Sequence, residues 1–100
     1  MNIKQERHNE KLTVFIAGSI DTATSTALIE NLQQSIEGVT ELILDFTKVE
    51  YISSAGLRAL LLAQKAMNVR GEMKIVHANA DIMETFRVTC FNEVLNIVED

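Results

Sequence analysis

The feature that most constrains this chain is a change of apolar period that recurs along it. Residues 11–17 alternate, with Leu12, Val14 and Ile16 on one side and Thr13, Phe15 and Ala17 on the other. A period of two predicts a strand. Asp21, Thr22 and Thr24 are good helix N-cap types, and after them Leu28, Leu32 and Ile36 recur every fourth residue with Ile29 beside them. That pattern predicts an amphipathic helix, stopped by Gly38. The strand period returns over 41–46, where Leu42, Leu44 and Phe46 oppose Glu41, Ile43 and Asp45. After a short loop, Leu57, Leu60, Leu61, Gln64 and Met67 mark a second helix, ended by Gly71. Met73 and Ile75 flank Lys74 in a further strand, Ile82, Met83 and Phe86 define a shorter helix, and 94–98 reads as a terminal strand. The polar run 3–7 is placed to pair with the first strand across an Asn9-Glu10 turn.

Strands alternating with helices predict an α/β fold with right-handed crossovers. The expected architecture is a mostly parallel sheet of about five strands, with an antiparallel N-terminal edge strand and the helices mainly on one face. Thr13, Glu41 and Lys74 fit a partly solvated opposite face. One hundred residues, 47% of them apolar, are enough for one core, so a single domain over 1–100 is expected.

Charge and cysteine usage narrow the partners. A formal charge of −5 disfavours a nucleic-acid-coating role. A single cysteine cannot form an internal disulfide, which suits the cytoplasm. The polar stretch 1–10 lacks an apolar signal region, and the aliphatic run 59–63 is too short to span a bilayer, so no membrane insertion is expected. His8 and His77 lack metal-ligand spacing, and neither a metal nor a cofactor is expected. Met67, Met73 and Met83 fall at core positions, and Cys90 reads as a small packed residue.

In open α/β sheets, sites gather at the carboxyl ends of the parallel strands. That rim should carry Ser19 and Asp21, then Asp45 and Thr47, then Ser53 and Ser54 at the entry to the second helix, with His77 and Asn79 after the following strand. The densest stretch is Ser53-Ser54-Ala55-Gly56-Leu57. A serine here has a structural use, because its oxygen can accept an orphan N–H at the start of the helix. It has a regulatory use too: a phosphate on Ser54 would face the positive end of that helix. Gly56 fits close helix–strand packing and also clearance for an approaching kinase. Asp21 and Asp45 each have a bland reading, as a helix cap and as an acceptor for loop amides. A hydrolase is disfavoured, since Gly-x-Ser-x-Gly is absent and no histidine is placed as a base. Gly18-Ser19-Ile20-Asp21 is not a phosphate-cradling loop. No residue is assigned a catalytic role.

The run Leu44-Asp45-Phe46-Thr47-Lys48-Val49-Glu50-Tyr51-Ile52-Ser53-Ser54-Ala55-Gly56-Leu57 resembles the signature of the anti-sigma factor antagonist family, the STAS domain. Gly18-Ser19-Ile20-Asp21 resembles that family's earlier loop, and the resemblance extends over essentially the whole chain. It implies a regulator without catalysis of its own. Such a regulator binds an anti-sigma factor that is also a serine kinase of the GHKL type, and so frees a sigma factor. By motif position the kinase's target is Ser54, with Ser53 as the alternative, and a PP2C-type phosphatase reverses the reaction. Ser19, Asp21, Asp45, Ser53, Ala55, Gly56, Leu57 and Arg58 are then expected to meet the partner. STAS-like domains also serve as scaffolds in stress-sensing assemblies and as accessory subunits of transporters, which is the alternative function. Two positions depart from the pattern: Ser53 stands where many members have Asp, and Cys90 where they often have Gly. If the backbone at Cys90 is left-handed, a cysteine there is strained.

Overall fold

The computed structural model describes residues 1–99. β1 (Asn2–His8) and β2 (Lys11–Ile20) form a hairpin, followed by α1 (Thr22–Ser35), β3 (Glu41–Ile52), α2 (Ser54–Asn68), β4 (Glu72–Val76) and α3 (Ala80–Val88), with a short 3-10 turn at Phe91–Glu93. The sheet order is β1-β2-β3-β4, in which β1 runs antiparallel to β2 and the other pairs are parallel. Each parallel crossover steps to the next position in the same direction. With right-handed crossovers, that places the helices on one face.

The alternation in the sequence sorts side chains as expected. Leu12, Val14 and Ile16 of β2, Leu42, Leu44 and Phe46 of β3, and Met73 and Ile75 of β4 are all buried. The helices close over them with Leu28 and Leu32, Leu57, Leu60 and Met67, and Ile82 and Phe86. The rings of Phe46 and Phe86 lie 6.4 Å apart and tilted, which anchors α3 to the middle of the sheet. Met83 packs against this core from its margin. The other sheet face is half-exposed, and there Lys74 Nζ lies 3.5 Å from Glu41 Oε2 across the β3–β4 pair.

The terminal strand expected at 94–98 does not form. Among the described residues the sheet has four strands, and the C-terminal segment meets it at one bridge, Ile75 with Ile97. Cys90 adopts a left-handed conformation (φ 63°, ψ 16°), the chain turns through 91–93, and Val94 is still helical in its backbone angles. Too little chain is left for a ladder. Cys90 is also exposed rather than packed.

A second difference bears directly on the site. β3 continues to Ile52, well beyond Phe46, and its register with β2 shifts twice, between Phe15 and Ala17 and between Gly18 and Ser19. Each shift lets one extra residue of β3 bulge out, so the stretch expected to be a loop is a bent strand.

Candidate functional site

The β2–β3 ladder ends on the pair Ile20 and Ile52. Each strand then gives way, in one residue, to a helix. Asp21 is the N-cap of α1 and Ser53 the N-cap of α2, and the two helix starts are joined by a hydrogen bond from Ser53 N to Ile20 O of 2.9 Å. Two positive helix ends therefore open side by side at this rim.

The Asp21 side is a closed network. Asp21 Oδ1 accepts from the N–H groups of Ala23 and Thr24, both at 3.0 Å, and from Thr24 Oγ1 at 3.1 Å. Thr24 Oγ1 in turn accepts from Asp21 N at 2.9 Å and donates to Ser19 O at 2.8 Å. The backbone N–H of Thr24 is the main cause holding the Asp21 carboxyl below its ordinary pKa, with further hydrogen bonds from the Thr24 hydroxyl and Ala23. Asp21 is thus a fixed negative charge beside the start of α2.

The structure separates the two serines. Ser53 is half-buried, and its Oγ accepts from Gly56 N at 3.2 Å, so it performs the capping role. Ser54 is the first residue of α2 and is exposed, and among the described residues its side chain makes no hydrogen bond. Gly56 lets this turn sit close to the sheet. A Cβ there would meet Ile20 O at 2.5 Å and Ile52 Cγ1 at 2.6 Å, so the close-packing reading holds.

The remaining sequence candidates divide. Ala55 is half-buried, Leu57 belongs to the core, and Arg58 is exposed one turn along α2 from Ser54. Asp45 is not at this rim. It lies within β3 in register with Phe15 and Val76, roughly 20 Å of strand before Ile52. There its Oδ1 accepts from Thr47 N at 2.9 Å and Thr47 Oγ1 at 2.6 Å, the bland acceptor role. Asn79 caps α3 through Ile82 N at 2.8 Å and donates to Val49 O at 3.2 Å, tying that helix to the bent end of β3. One surface residue beside the site escaped the sequence reading. Tyr51, in register with Ser19, is 56% exposed and presents an aromatic ring next to the rim. Its signal in the sequence is a large apolar side chain in a polar stretch, hidden because 47–52 lacks a regular strand period.

Among the described residues no three His, Cys, Asp or Glu side chains cluster as metal ligands, and no helix is long and apolar enough to cross a membrane.

Comparison with known proteins identifies the family and the fold. The STAS domain family model matches residues 2–100. The anti-sigma-B factor antagonist of Listeria monocytogenes is 30% identical over 103 aligned positions, covering 97% of this chain and 90% of that protein. An anti-sigma factor antagonist from Mycobacterium paratuberculosis superposes with a TM-score of 0.88 at 19% identity, over 99% of this chain and 86% of that one. The Bacillus cell fate determinant SpoIIAA, solved in its phosphorylated form, gives a TM-score of 0.74 at 14% identity, over 99% and 93% of the two chains. These matches place the chain in the STAS domain family, among the anti-sigma factor antagonists.

Proposed function

We propose that this protein is a partner-switching antagonist in which Ser54 is the switch. The observation that carries the reading is the division of labour at the start of α2. Ser53 satisfies the helix cap, which leaves the Ser54 hydroxyl exposed and unengaged at a positive helix end. A phosphate on Ser54 adds about −1.5 to −2 charges and three acceptor oxygens. The nearby N–H groups and Arg58, four residues along the same helix face, are suited to receive it. The fold keeps its cap, and the surface changes. From −5 the formal charge moves to about −6.5 to −7, concentrated beside Asp21.

In the unmodified state the rim of Ser19, Asp21, Ser54 and Arg58, flanked by Tyr51, binds an anti-sigma factor that is also a GHKL-type serine kinase. That binding releases a sigma factor in the cytoplasm. The kinase transfers the γ-phosphoryl of ATP to Ser54 Oγ, the hydroxyl proton leaves to solvent or a kinase base, and ADP departs. A PP2C-type phosphatase hydrolyses the ester and restores the docking surface. The phosphorylated and unphosphorylated forms recorded for SpoIIAA support a two-state reading of this rim. No residue of this chain performs chemistry in the cycle; it is the substrate. Calorimetry with the cognate kinase domain tests the docking step. Binding should be lost on stoichiometric phosphorylation and weakened by Ser54→Asp, and equal affinity for both forms contradicts the switch.

A further inference from the structure

The β1 strand stands at one end of the sheet order, so one of its backbone edges is unpaired among the described residues. Such an edge is a template for another strand. Two observations make this one specific. It is held in place from the helix side: Gln5 Nε2 donates to Asn31 Oδ1 at 2.7 Å and to Ser35 Oγ at 2.8 Å, and Arg7 donates to Glu37 O at 3.1 Å. Lys4 and Glu6, opposite Phe15 and Thr13 in the hairpin, project instead from the open sheet face.

The second observation is a symmetry in the strand. If two copies of Asn2–His8 are laid antiparallel with full overlap, Gln5 faces Gln5, Asn2 faces His8 and Ile3 faces Arg7. In the same register Lys4 faces Glu6 of the second copy, and Glu6 faces its Lys4. The register that uses the whole strand is also the one that pairs opposite charges directly across the ladder, where opposite charges attract and like charges repel. A slip of one residue in either direction breaks both pairs and turns the side chains to opposite faces. Above the edge, Ala27 and Ala23 lie one and two turns before Asn31 on the same side of α1, and both are exposed. Small side chains there leave room for the α1 of a second copy.

We infer that β1 is a self-complementary edge through which two copies of this chain associate about a two-fold axis at Gln5, forming one continuous eight-stranded sheet. The start of α2 lies across β2 and β3 from this edge and stays open in both copies.

Sedimentation equilibrium of the full chain tests this, with circular dichroism confirming that each variant is folded. The wild type should show concentration-dependent dimerisation. Lys4→Glu and Glu6→Lys should each weaken it about tenfold, because each puts two like-charge pairs into the ladder. Mixing the two single variants should restore association as a heterodimer, and the double variant Lys4→Glu/Glu6→Lys should restore the homodimer. A wild type that stays monomeric up to about 1 mM, the weak end of measurable affinity, overturns the proposal. So does a dimer indifferent to the single substitutions, or one that neither the mixture nor the double variant restores.

Discussion

Ile20 and Ile52 are the last register partners of the β2–β3 ladder, and the backbone carbonyl of Ile20 accepts from the residue that follows Ile52. The pair sets the site. Asp21 and Ser53, the next residue on each strand, become neighbouring helix caps, and Ser54 becomes the first exposed position of α2.

That seating depends on Gly56. Alanine is intrinsically better in a helix by up to about 1 kcal/mol, yet its methyl would stand 2.5 Å from Ile20 O and 2.6 Å from Ile52 Cγ1. Gly56→Ala should therefore destabilise the protein by about 1–3 kcal/mol in urea unfolding, the usual range for overpacking. A stability equal to or above wild type contradicts the close approach.

The two serines should separate cleanly in stability measurements. Ser53→Ala removes the acceptor for Gly56 N and should cost about 1 kcal/mol. Ser54→Ala removes an exposed hydroxyl without a partner and should change stability by less than about 0.5 kcal/mol. The reverse ranking in chemical denaturation would mean that the capping roles are exchanged.

Cys90 predicts a gain. At φ 63° a β-carbon is strained by about 1–2 kcal/mol, and glycine removes that strain at some entropic cost in the unfolded chain. Cys90→Gly should raise stability by about 1 kcal/mol net. Cys90→Ala, which keeps the β-carbon, should not. A loss with glycine would show that the cysteine side chain contributes something the backbone argument omits.

Asp21 gives a dependence on pH. Its folded pKa lies below the ordinary 3.8, mainly because the charged form accepts the Thr24 N–H. A depressed carboxyl pKa contributes stability that is fully present above the unfolded value and is lost as pH falls through the folded one. Acid unfolding curves of wild type and Asp21→Asn should therefore diverge above about pH 4 and converge in stronger acid. Parallel curves across that range would remove the carboxylate from the account.

Most of this architecture is written in plain alternation. The core faces of β2 and β4 and the first half of β3 follow the period of two, and the helix cores follow the four-residue spacing. The second half of β3 is hidden for a physical reason. Its two bulges place the buried residues Phe46, Val49 and Ile52 three apart, a spacing that no regular strand has. Tyr51 and the location of Asp45 were obscured by the same irregularity. The C-terminal segment misleads in the opposite direction. Val94, Leu95, Ile97 and Val98 are apolar, but Val94 and Val98 are exposed and the left-handed turn at Cys90 consumes the chain that a strand would need. At the site, one hydrogen bond from Gly56 N gives the capping role to Ser53 and leaves Ser54 out of it, a division that the motif alone does not reveal.

The role of Ser54 is tested by incubating the purified chain with its cognate anti-sigma factor kinase and ATP, then locating the product by mass spectrometry. The expected product carries a single added phosphate on Ser54, abolished by Ser54→Ala and retained in Ser53→Ala. Phosphate confined to Ser53, or none from a kinase shown to be active, would contradict it.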